Sequence, residues 1–184
     1  LALGWACWKL YLGRPVTNWV WCEAMQGLGS ALVQSKSEDA LSVCWANLAF
    51  RRRHLSHDKI KVAEALLANC LEDIGRHDDA LVLRREIFAK EVESGALSET
   101  GIGHGLNVAI SMQKVGRWDA SKSLLDDLLP MAQKLLGLDS DLTLMLGWNL
   151  AVLPLDNPAC ALKDLLEAEP IIKDVVQRRR RVFG

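Results

Sequence analysis

A short corner motif returns three times at near-constant spacing, and that recurrence limits the possible folds more than any other feature of the sequence. Gln34-Ser-Lys-Ser-Glu-Asp-Ala-Leu41 aligns with Ile74-Gly-Arg-His-Asp-Asp-Ala-Leu81, and Val115-Gly-Arg-Trp-Asp-Ala-Ser121 follows. With Ser35, Gly75 and Gly116 taken as equivalent, the offsets are 40 and 41 residues; Asn107-Val-Ala109 and Asn149-Leu-Ala151 lie 42 apart. A period in this range marks stacked supersecondary units, each too small to bury its apolar face alone.

The motif has the chemistry of a helix–turn–helix corner. Gly75 and Gly116 can adopt the left-handed conformation that ends a helix. Asp39, Asp78, Asp79 and Asp119 then fall in the first turn of the next helix, where the macrodipole favours negative charge. Ala40 and Ala80 supply small side chains where two helices cross. Between corners the apolar spacing is helical: Leu124, Leu128, Met131 and Leu135 form one row, and Leu125, Leu129, Ala132 and Leu136 the next. Ala80, Leu83, Ile87, Phe88 and Val92 make a similar stripe. No segment alternates as a strand does. The expected fold is all-α, an α-α superhelix of antiparallel helix pairs. First helices are predicted at about 16–34, 58–73, 98–114 and 141–154, with partners at about 37–53, 77–93, 118–136 and 158–178. The repeats therefore span about 16–53, 58–93, 98–136 and 141–178 of a single 1–184 repeat domain, and residues 1–12 read as the remnant helix of a preceding repeat. Pro154, Pro158 and Pro170 predict an irregular last hairpin.

Composition narrows the function. Half of the 184 residues are apolar, enough to bury a core. Lys plus Arg numbers 22 against 23 for Asp plus Glu, so no net field pulls the chain toward nucleic acid or an anionic membrane. The five cysteines, Cys7, Cys22, Cys44, Cys70 and Cys160, form no CxxC pair or zinc-type cluster. They read as reduced core residues of a cytoplasmic protein. Leu1–Trp8, the longest apolar stretch, falls short of the roughly 20 residues a transmembrane helix needs. The chain begins without methionine and reads as part of a longer protein.

Leu136-Gly-Leu-Asp-Ser-Asp-Leu-Thr-Leu-Met-Leu-Gly-Trp-Asn-Leu-Ala151 resembles the inter-repeat loop and first helix of kinesin light chain-type tetratricopeptide repeats, which read LGxxHPxTLxxxNNLA. Gly75-Arg-His-Asp-Asp-Ala80 and Gly116-Arg-Trp-Asp-Ala120 are similar to that family's G-[KR]-Y-x-E-A corner, which makes Trp118 a corner residue alongside the glycines. The likeness covers roughly residues 16 to 165; Ser35 replaces the first corner glycine, the loop histidine and proline are absent, and the last corner is lost. The resemblance implies a superhelix whose concave face, lined by first helices, holds a peptide or a partner helix. It also implies peptide contact by the asparagines at Asn107 and Asn149, whose counterparts in the other units are Leu66 and Gln26. Asn47-Leu-Ala49 looks similar but falls out of phase, on a second helix.

Few other features carry chemistry. His57-Asp58 and His77-Asp78 would serve a helical metal-dependent phosphohydrolase, but His77 aligns with Ser37 and Trp118, which makes it a packing position. Gly101-Ile-Gly-His-Gly105 does not follow a strand or match a phosphate loop, so close packing or a loose helix start is expected there. No serine sits in a nucleophile-type turn. Arg51–Arg53 and Arg178–Arg181 read as solvated helix ends, with an anionic or RNA partner as the alternative. Five of the seven tryptophans, Trp5, Trp8, Trp19, Trp21 and Trp45, crowd the first 45 residues and are expected to pack there; Trp19 or Trp21 could instead be a binding anchor. The resulting expectation is a protein-binding scaffold without catalysis, cofactor or metal. Asn69, Asn107, Gln113, Lys114 and Asn149 are its groove candidates, its partners are a protein or peptide and the neighbouring repeats of the full chain, and no membrane is expected; an RNA-binding helical repeat is the second alternative, after the phosphohydrolase.

Overall fold

A computed structural model of the chain describes residues 19–35, 39–54, 57–95 and 97–184. Among these there are eight helices and no strand: α1 Trp19–Gln34, α2 Ala40–His54, α3 His57–Asp73, α4 His77–Glu93, α5 Glu99–Lys114, α6 Trp118–Leu136, α7 Asp141–Asp156 and α8 Leu162–Phe183. The remnant helix at 1–12, Trp5, Trp8, Cys7, Ser37 and Glu38 lie outside the described residues, as do the side chains of Trp19, Trp21, Cys22, His57 and Asp58. Contacts divide the chain into two compact units, Leu1–Ile87 and Phe88–Gly184.

The two glycine corners are built alike. Gly75 and Gly116 have φ of 80° and 74°. At the first, the Arg76 N–H donates to Leu71 O (2.8 Å) and the Gly75 N–H to Glu72 O (3.0 Å). At the second, Arg117 N–H bonds Met112 O (2.8 Å) and Gly116 N–H bonds Gln113 O (3.0 Å). These paired main-chain bonds are the Schellman closure, which satisfies the carbonyls a helix end leaves open. The next helices open with Asp78 and Asp79 in α4 and Asp119 in α6, each in the first turn. Between hairpins the starts are capped by serine: Ser98 Oγ accepts from the Gly101 N–H (3.2 Å) and Ser140 Oγ from Thr143 N–H (3.4 Å).

In the first unit α1, α2 and α3 pack on one another, α1 also lying against α3. Leu28, Leu32, Cys44, Leu48, Leu67, Leu71 and Ala80 form its core. In the second unit α5 packs on α6 and α7, α6 on α7, and α7 on α8. Its core holds Ile102, Leu106, Ala109, Leu125, Leu128, Ala132 and Leu146. The α6 stripe is narrower than its sequence suggests: Met131 and Leu135 are 42% and 54% exposed, because α6 meets its partners through Leu125, Leu128 and Ala132.

The last hairpin departs from the expected 158–178 span. Asn157 ends α7 in an Asx turn, its Oδ1 accepting from Ala159 N–H (3.0 Å), and its carbonyl accepts from Cys160 N–H (3.0 Å). The Asp164 carboxylate then takes the Ala161 N–H (3.0 Å), so α8 begins at Leu162. Pro154 and Pro170 both lie inside helices rather than ending them.

Candidate functional site

Helix α1 lies against α3, and α5 against α7, so within each unit the first helices of consecutive hairpins are side by side. In the second unit this places Asn107 on α5 and Asn149 on α7, at equivalent positions of neighbouring helices. Asn107 is exposed; Asn149 is half-buried and donates its Nδ2 to Met145 O on its own helix (2.8 Å), leaving Oδ1 to accept. Along the same helix Met145 and Trp148 are each 38% exposed and Leu155 60%. Lys114 is exposed at the end of α5. Gln113 turns inward, its Nε2 donating to Ser121 Oγ (3.1 Å). Asn69 on α3 is exposed and accepts from Arg84 Nη2 on α4 (2.8 Å). The five candidates thus divide between the units, with Asn107, Lys114 and Asn149 on the first-helix side of the second.

Trp148 escaped the sequence reading, although a signal was present. It stands where the kinesin light chain pattern carries the first asparagine of NNLA, and a large aromatic in a polar slot marks a changed surface. Ser121 was also missed. It occupies the place of Ala40 and Ala80 in the third corner, is fully buried, and donates its hydroxyl to Ala109 O (2.9 Å). Ala120, which the pattern suggested for that place, is exposed. Trp118 is half-buried at the start of α6 and packs on the core of its unit.

The first arginine run is a solvated helix end only at Arg52 and Arg53, which are exposed. Arg51 is 2% exposed; its Nε donates to Asn47 Oδ1 (3.0 Å), while Asn47 donates to Gln26 Oε1 (2.8 Å) and Glu23 lies 3.7 Å from the guanidinium. Arg52 bonds the buried Glu64 (2.9 Å). A charge taken out of water must be paired, and Asn47 therefore belongs to an interior network rather than to a coincidental motif. Arg84 is likewise buried and held by Glu72 (3.0 Å); burial lowers its pKa and Glu72 opposes that. In the second run, Arg178 and Arg181 both bond Asp139 (3.3 and 2.6 Å), and Arg179 lies 3.7 Å from Asp141. These cations brace the α6–α7 loop against α8.

His77 is half-buried with Nδ1 unpartnered; Asp78 and Asp79 beside it are exposed, and Asp79 pairs with Arg76 (2.6 Å). Among the described residues no three His, Cys, Asp or Glu side chains are grouped to hold a metal. No described helix is long and apolar enough to cross a membrane. Cys44 and Cys70 are free, buried in one core and hydrogen-bonded to each other; burial pushes the Cys44 thiol up to about 12 and raises Cys70 as well.

With the paired first helices and the corner geometry in hand, comparison with solved structures decides the architecture. The chain superposes on a Podosopora anserina protein of the kinesin light chain type, with nearly identical TPR-like repeats, at a TM-score of 0.81, 14% identity, 100% of this chain and 87% of that one. The fold is that of a TPR-like repeat protein. A single-substitution form of the same Podosopora anserina protein gives 0.82 at 14% identity, over 98% and 85% of the two chains. BtubC (BKLC) from P. vanneervenii gives 0.76 at 19% identity, over 100% of this chain and 73% of the other. No protein-family model matches the sequence, and no curated protein does. The TPR-like chain thus shares its helical framework with these structures.

Proposed function

We propose that this TPR-like chain is a cytoplasmic interaction scaffold that holds a peptide or partner helix of another protein along its first helices, without catalysing a reaction. The observation that carries the reading is the side-by-side placement of α5 and α7, with Asn107 and Asn149 at equivalent positions and Trp148, Met145 and Leu155 exposed beside them. An aromatic and flexible apolar side chains supply contact area, and the asparagines supply main-chain hydrogen bonds to an extended ligand. The free, adjacent Cys44 and Cys70 thiols support a reducing compartment.

Selection of a displayed random 12-residue peptide library on the full chain tests this. Enriched peptides should lose about tenfold or more in affinity on Trp148→Ala, and a smaller factor on Asn107→Ala. Enrichment of peptides whose affinity ignores both substitutions would refute the placement. Failure of any peptide to enrich would refute the scaffold reading itself.

A further inference from the structure

The second-helix side of the first unit carries a different feature. A pocket of about 320 Å³ opens between α2 and α4, over α3. Its floor is apolar, from Leu67, Leu71 and Leu83, and its walls include Trp45 and Val82, which stand 48% and 59% exposed. The sequence places Trp45 in the packing of the N-terminal region; instead it faces this opening. The volume sits at the low end of the roughly 300–1,000 Å³ of ligand pockets. Its open walls leave room for a side chain that projects from a macromolecule.

Charge decides which side chain. Of the ionic groups at the rim, Arg52 is neutralised by Glu64 (2.9 Å) and Arg76 by Asp79 (2.6 Å). Glu86 is exposed and forms no ion pair among the described residues, so the pocket presents one uncompensated carboxylate beside an exposed indole. An aliphatic stem with a cationic head matches this pattern: the stem covers the leucines, and the head meets the indole face and the carboxylate.

We propose that this pocket on the second-helix side is a docking point for a lysine or arginine side chain projecting from an otherwise apolar segment of a partner protein. The site is separate from the first-helix face and stands or falls independently of it. Acetylated alanine–leucine helical peptides with Arg, Lys, Gln or Glu at the central position are the probes. The readout is the Trp45 indole N–H resonance of the full chain, assigned through Trp45→Phe. The Arg and Lys peptides should shift that resonance and bind about three- to tenfold more tightly than the Gln peptide, with the Glu peptide weakest. Glu86→Gln, a change at an exposed position, should erase the difference between the Arg and Gln peptides. Equal binding of all four peptides, preference for Glu, or no shift at Trp45 would each overturn the proposal. So would concentration-dependent self-association that is lost on Trp45→Ala, which would make the pocket a contact between copies of this chain.

Discussion

Cys44 shows how a single buried group ties this fold to its surroundings. Its thiol sits in the core of the first unit against Cys70, and burial raises its pKa from 9.0 to about 12. The folded state therefore holds the proton more tightly than the unfolded chain does. The stabilisation from the neutral thiol is complete below about pH 9 and is lost as pH rises through the interval to about 12. Cys44→Ala removes this dependence, so the melting temperature of the parent chain should fall more steeply over that interval than the variant's. Parallel slopes in thermal unfolding would contradict the buried placement. Such single positions were unevenly legible. The left-handed glycines could be read directly, because few residues tolerate that backbone. Arg51 could not, because an arginine in a run looks the same whether it is solvated or bound to Asn47 one helical turn away. Trp45 misled for a related reason: a large apolar side chain argues for burial on average, and only packing reveals the exceptions.

Helix α5 separates two roles of glycine within five residues. A Cβ at Gly105 would lie 2.6 Å from Leu128 Cδ1 and 2.9 Å from Phe88 Cε2, whereas nothing lies within 4 Å of one at Gly103. Gly105→Ala should destabilise the chain by about 1–3 kcal/mol through overpacking. Gly103→Ala should stabilise it by up to about 1 kcal/mol through helix propensity. Denaturant unfolding of the two variants checks the contrast, and the same sign for both would mean that α5 and α6 do not approach as described. The sequence showed the three alternating glycines but could not assign close packing to one and open space to another, since the distinction depends on which neighbour crosses at that level. The start of α8 was hidden in the same way. It depends on Asp164 reaching back to Ala161, and an aspartate three residues into a helix is common enough to pass unnoticed.

At the scale of the whole molecule, each unit is held by contacts between successive hairpins, and arrays of this kind distribute stability over neighbours instead of concentrating it in one centre. Leu128→Ala empties part of the second core and should cost about 2–5 kcal/mol. Amide exchange in that variant should accelerate mainly in α5, α6 and α7, whose side chains share the core; equal acceleration from α1 to α8 would indicate one cooperative block. The all-helical repeat architecture was the most legible level, because it follows from spacing, which survives substitution of most side chains. The surface was the least legible, because exposure of Trp148 or pairing of Arg178 with Asp139 arises only once elements meet. The two Schellman corners carry a modular consequence. Their closing bonds join main-chain atoms to main-chain atoms, so a hairpin brings its own hinge wherever it is copied. A hairpin that keeps its glycine keeps its turn whatever side chains surround it, which fits superposition at 14% identity over 98% of this chain and 85% of a solved TPR-like structure.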